Sequence, residues 1–190
     1  DGNMSTGSQT GAGNSLIVLQ TGTGNTSMIT QERTGNMSDV YQAGVGATST
    51  IEQIGDAQND MAFVDQLVGS DGSSSTIRQT GAPGSPASAN MADVTQSGLM
   101  NTSLVTQDGW NSDATVLQSG ANNDSEITQT GTVAGAGNSA DVTRSGDWNV
   151  SDVLQTGSLN TATVTQSSDF NVSNVTQTGT GGTATVTQSM

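Results

Sequence analysis

Valine or isoleucine recurs along the chain two residues before a glutamine, and the glutamine itself recurs at near-constant spacing. With Gln as phase zero, the slot holds Gln9, Gln20, Gln31, Gln42, Gln53, Gln66, Gln79, Gln96, Gln107, Gln118, Gln129, then Arg144, then Gln155, Gln166, Gln177 and Gln188. The intervals are 11 residues apart from two of 13, one of 17 and one of 15. The apolar slot is Val18, Ile29, Val40, Ile51, Val64, Ile77, Val94, Val105, Val116, Ile127, Val142, Val153, Val164, Val175 and Val186, with Gly7 as its single exception. Six residues before the Gln stands Asn in 11 of 16 units, and two after it stands Gly in 12 of 16. These slots are spaced by two, the period at which side chains share one face of a strand. Nothing recurs at 3.6, and β-branched residues abound, so a helix does not fit. Gly after each Gln marks the turn.

A longer period lies beneath the first. Four residues before the Gln, the odd units all carry Ser (Ser5, Ser27, Ser49, Ser75, Ser103, Ser125, Ser151, Ser173). The even units mostly carry Ala (Ala62, Ala92, Ala114, Ala140, Ala162, Ala184), with Leu16 and Ser38 departing. The structural repeat is therefore two units, about 22 residues, whose halves occupy different environments.

The pattern predicts an all-β fold: a β-solenoid of about eight two-stranded coils, with odd and even units forming two parallel sheets face to face. Equivalent slots then stack about 4.8 Å apart, and eight coils span roughly 38 Å. Residues 1–13 read as a degenerate first unit and 14–190 as the solenoid, with longer turns near 55–59, 67–72, 81–89 and 131–137. Both prolines fall in the third of these, as expected of residues that cannot donate within a sheet. The inward face carries the Val/Ile column, the small Ser/Ala column, the Gln column and an Asn column. The last comprises Asn14, Asn25, Asn36, Asn90, Asn101, Asn123, Asn138, Asn149, Asn160 and Asn171. Both amide columns are expected to hydrogen-bond along the axis as ladders. The last unit, TATVTQSM, is as regular as an interior one. Asn14, Leu16, Val18 and Gln20 at one end, and Ala184, Val186 and Gln188 at the other, are therefore the expected polymerisation surfaces.

Composition narrows the chemistry. The chain has 190 residues, 31% hydrophobic and 11% charged, with 3 Lys+Arg against 17 Asp+Glu, a formal charge of −14. It holds no His and no Cys, which excludes His- or thiolate-based catalysis, metal centres built on them and disulfides. Three scattered Arg cannot form a phosphate-binding patch, so nucleic acid is not an expected partner. There is no membrane-length apolar run, and the opening DGNMSTGSQT has no signal-peptide character. No catalytic residue, cofactor or metal site is expected, and no calcium-binding loop recurs. Of the 17 acids, 11 occupy outward slots and only Asp60 an inward one, so salt or low pH is expected to ease association of copies. Trp110, Trp148 and Phe170 lie in turns and are expected to pack a turn on its neighbour, with an exposed adhesive role as the alternative. Arg144 interrupts the Gln column. Its simplest reading is a solvated side chain at the sheet margin, bonding neighbouring amides or an acid; the sharper one is a gatekeeper that slows assembly.

The repeat resembles the curlin repeat, in which Ser, Gln, Asn, Ala, Val and Gln recur as in Ser151–Gln155, Asn160, Ala162, Val164 and Gln166. The resemblance implies a secreted functional amyloid: a curli-like fibre subunit of bacterial biofilm matrix, a homopolymer served by a nucleator subunit and a dedicated secretion channel. Scarce basic residues favour the major over the nucleating subunit. A monomeric or surface-anchored adhesin and an ice-binding solenoid are the alternatives, the latter weakened because acids and Leu interrupt the outward Thr columns.

Overall fold

The structure, a computed structural model, describes residues 2–81 and 89–189. Residues 82–88 lie outside them, so the expectation for Pro83 and Pro86 falls outside the described residues. Sixteen strands alternate between two sheets. β1 (Met4–Gln9), β3 (Thr26–Gln31), β5 (Thr48–Gly55), β7 (Ser74–Gly81), β9 (Thr102–Gly109), β11 (Asp124–Gly131), β13 (Val150–Ser158) and β15 (Val172–Thr180) form the odd sheet. β2 (Ser15–Gln20), β4 (Met37–Gln42), β6 (Met61–Gln66), β8 (Met91–Gln96), β10 (Asp113–Gln118), β12 (Ser139–Arg144), β14 (Thr161–Gln166) and β16 (Thr183–Gln188) form the even sheet. Each strand pairs in parallel with the strand two units away, and like slots face like: Ile51 opposite Ile77, Gln53 opposite Gln79, Val116 opposite Val142. The chain is a β-solenoid of eight coils.

The alternation in sequence becomes alternation in burial. Interior strands read exposed-or-partial, buried, partial, buried along their length, as in β4, β8 and β14. Val and Ile from both sheets, with the even-sheet alanines, form the single apolar core. Opposite those alanines the odd-sheet serines are buried, and the Oγ atoms of Ser27, Ser49, Ser75, Ser103, Ser125, Ser151 and Ser173 have no hydrogen-bond partner. The slot needs a small side chain more than it needs a hydroxyl. The Gly after the Gln is required where the next coil passes closest: a Cβ at Gly22 would lie 1.7 Å from the Gly44 carbonyl oxygen, and one at Gly98 equally close to that of Gly120, while Arg33, Val68 and Ser168 fill the slot in other units.

The first unit, which reads as degenerate, forms β1 and pairs in full register with β3. Its two irregularities compensate one another. Gly7 stands in the Val/Ile slot, and a Cβ placed there would meet Leu16 Cδ1 at 2.9 Å; Leu16 itself stands where other even units carry Ala or Ser. The large side chain has changed sheets while the coil's volume is kept.

Two stability measurements follow from this packing. Gly7→Ile alone should destabilise by overpacking against Leu16 and Leu16→Ala alone by leaving a void, each by about 1–3 kcal/mol. The double variant, which restores the standard coil, should be more stable than the sum of the single changes; additive effects in a denaturation cycle would contradict the contact. Ser103→Ala removes a buried, unpartnered hydroxyl, so it should raise the urea midpoint, by roughly 1 kcal/mol in stability. A loss of stability would show that the hydroxyl is satisfied in solution.

Candidate functional site

The candidate site is the set of inward columns and the two ends at which they emerge. Gln side chains in the odd sheet form a continuous ladder. The Nε2 of each donates to the Oε1 of the Gln one coil later, from Gln9 to Gln31 at 2.7 Å through Gln107 to Gln129 at 3.0 Å and Gln155 to Gln177 at 2.8 Å. The second Nε2 proton reaches across to the preceding even strand: Gln31 donates to the Ser15 carbonyl at 2.9 Å and Gln107 to that of Met91 at 2.7 Å. One amide thus ties a coil to its neighbour and one sheet to the other. The even sheet repeats the arrangement from Gln20 through Gln42, Gln66 and Gln96 to Gln118, and again from Gln166 to Gln188.

The Asn column works differently from the expected amide-to-amide ladder. Asn25 Nδ2 donates to the Gly44 carbonyl at 2.9 Å, and its Oδ1 accepts the Ala47 backbone N–H at 2.8 Å. Asn14, Asn36, Asn90, Asn101 and Asn138 make the same pair of backbone contacts one coil onward. Amide-to-amide contact occurs from Asn160 to Asn138 and from Asn171 to Asn149. A short side chain at a turn lies nearer the backbone of the next coil than the next side chain, so backbone groups win. That logic reveals residues the repeat consensus misses. Asp60 Oδ1 accepts the Asn90 N–H at 2.8 Å, Ser73 Oγ that of Asn101 at 3.1 Å, and Ser112 Oγ that of Asn138 at 3.4 Å, so each serves where Asn is missing.

Arg144 departs from its simplest reading. Its side chain is not solvated: it is fully buried, paired in register between Gln118 and Gln166, and its three guanidinium nitrogens have no hydrogen-bond partner. Strand register places the slot inside whatever residue fills it. Burial draws the guanidinium pKa down to about 10, partly countered by Asp124. The Gln166 Oε1 below it is orphaned. Another residue missed from sequence is Arg33, which fills a glycine slot with φ 69° and donates to the Gly55 carbonyl and the Asp56 carboxylate. Trp148 and Phe170 stack on each other, centroids 6.5 Å apart with planes 3° from parallel, yet both stay largely exposed.

The ends carry complementary groups. Among the described residues, no donor meets the Oε1 of Gln9 or Gln20 at the β1–β2 edge, while Gln177 and Gln188 at the β15–β16 edge donate their Nε2 to the Thr161 and Val172 carbonyls and to no Gln. Leu16, Val18, Ala184 and Val186 are only partly buried there, in line with the core columns.

On the outer face of the even sheet, Asp65, Asp93 and Asp113 hold their protons more tightly than ordinary aspartates. Partial burial is the main cause; Asp39 adds repulsion at Asp65, Asp65 and Asp113 at Asp93, and Asp141 at Asp113. A carboxylate whose folded pKa is raised destabilises the fold above that pKa, and the penalty disappears as pH falls through it toward the unfolded value near about 3.9. The folded chain should therefore gain stability on mild acidification. Replacing all three by Asn should flatten that gain in urea titrations at successive pH values; an unchanged profile would remove these groups as its source.

No curated protein matches the chain. The family model for the curlin associated repeat matches residues 87–120, 101–131 and 135–167. The matched stretches span strands of both sheets, and the same inward slots run through the coils outside them. The chain is a curlin-repeat protein.

Proposed function

We propose that this chain is a structural subunit of an extracellular, curli-like amyloid fibre that polymerises head to tail and serves biofilm matrix, adhesion and surface colonisation. The observation that carries the reading is the polarity of the ladders. Along both ladders the Gln side-chain amide donates toward the later coil, with the even column interrupted at Arg144, so the described stack shows acceptors at its β1–β2 edge and donors at its β15–β16 edge. A second copy set on the first continues both Gln columns, the even-sheet Val/Ile column and the backbone ladders, while at β1 the odd-sheet slot holds Gly7 with Leu16 packed against it. Each added copy also covers the exposed apolar ends of the last. The curlin repeats support a structural rather than enzymatic role, and the surface of net charge −14 disfavours nucleic acid. Placement outside the cell, a nucleating partner and dedicated secretion machinery follow from family resemblance; the scarcity of basic residues favours the major subunit.

Purified chain should form unbranched filaments by electron microscopy, with a meridional reflection near about 4.8 Å along the filament axis. Val186→Glu, which sets a charge on the core column of the β15–β16 edge, should leave the circular dichroism of the strand fold unchanged while suppressing elongation at least tenfold. A chain that stays monomeric in sedimentation over days would favour the monomeric adhesin instead.

A further inference from the structure

Among the described residues, most buried polar atoms without a hydrogen bond fall in two groups, with Ser70 Oγ, Trp110 Nε1 and Asp113 Oδ1 apart from them. The odd-sheet serine hydroxyls run along the length of the rod. The other group gathers at one corner of the sixth and seventh coils: Nε, Nη1 and Nη2 of Arg144, Oε1 of Gln166, and Nδ2 of Asn123 and of Asn149. In the preceding even coils the Gln amide reaches the carbonyl of the residue five positions on, Gln96 that of Asn101 and Gln118 that of Asn123, each at 3.1 Å. Arg144 and Asn149 therefore share one corner. Most other Asn Nδ2 groups reach a backbone carbonyl one coil later, as Asn36 does to Ala57 at 3.2 Å, Asn101 to Gly120 at 2.8 Å and Asn160 to Gly179 at 3.1 Å. Around Arg144 that link is missing on both sides.

The defect is one-sided. Across the same level the odd ladder is unbroken from Gln107 through Gln129 and Gln155 to Gln177, at 3.0, 2.9 and 2.8 Å. The even ladder stops at Gln118 and resumes at Gln166. A buried, unpaired charge weakens a site far more than a missing neutral contact.

We propose that the sixth coil is a built-in joint: β12 loosens from β10 and β14 while the odd sheet holds, so the rod opens or bends at this level before it does so at any other interior coil. Local openings of this kind are set by which stretch has the weakest tertiary ties. Loosening carries Arg144 to water and lets Gln166 and both asparagines find partners, and it leaves the coils before β12 and those after it as two stacks hinged along the odd sheet. The geometry is internal to one copy and does not depend on the fibre reading.

Hydrogen exchange read by mass spectrometry on the full chain tests this. Amides of Ser139–Arg144 should exchange at least about tenfold faster than those of Met91–Gln96, an interior even strand with an intact ladder, while Asp124–Gly131 stays protected. Arg144→Gln, which restores the residue found at this slot in the other units, should bring the difference within about threefold. Arg144→Met, which removes the charge without restoring the ladder, should fall between. Equal protection of the two strands in the unaltered chain would overturn the proposal, as would faster exchange there that Arg144→Gln leaves unchanged.

Discussion

Every feature of this molecule depends on side chains 22 residues apart lying directly over one another in parallel strands. Stacking turns a weak local preference into a column. One Gln amide in a turn-rich sequence would be better solvated than buried. In register, a Gln that faces another Gln finds its oxygen at 2.7–3.0 Å and, inside the stack, a carbonyl of the opposite sheet with its other proton. Buried amides are then satisfied in a core only two side chains thick, and the polar columns become the element that fixes spacing. The apolar columns alone could not: Val on Ile tolerates sliding, whereas amide pairs and glycines with no room for a Cβ against the next coil do not.

This dependence explains why the exceptions are informative. Slots that differ from the repeat do so by keeping the function of the position, as when Asp60, Ser73 and Ser112 accept the backbone N–H that Asn accepts elsewhere, or when Leu16 fills the space that Gly7 vacates. Arg144 is different in kind. It keeps the register but neither the hydrogen bond nor the neutrality, and its neighbours lose their partners with it. In a structure of near-identical layers, one such slot distinguishes a level from the rest.

Fold and register were legible in the sequence because a solenoid writes its three-dimensional neighbours into a linear period: eleven residues locate the facing strand and twenty-two the stacked one. The inward identity of the Val, Gln and Asn slots followed from the two-residue spacing. What stayed hidden depended on distances that periodicity does not encode. The Asn column was expected to repeat the Gln ladder, but a shorter side chain in a turn meets backbone first. Arg144 was read by its chemical preference for water, yet register, shared by fifteen other strands, overrode the preference of a single residue. The turn aromatics were expected to pack or to stay exposed; stacking at equivalent positions of successive turns does both.

The central claim is the 22-residue stack itself, and the absence of native cysteine makes it directly measurable. Nitroxide labels on Thr106→Cys and Thr128→Cys, outward positions paired in register on β9 and β11, should lie close enough for their resonance lines to merge by spin exchange. Labels at Thr106 and Leu117, eleven residues apart on opposite sheets, should show no such exchange. Merged lines for the eleven-residue pair, or separate ones for the twenty-two-residue pair, would contradict the stacked-coil account.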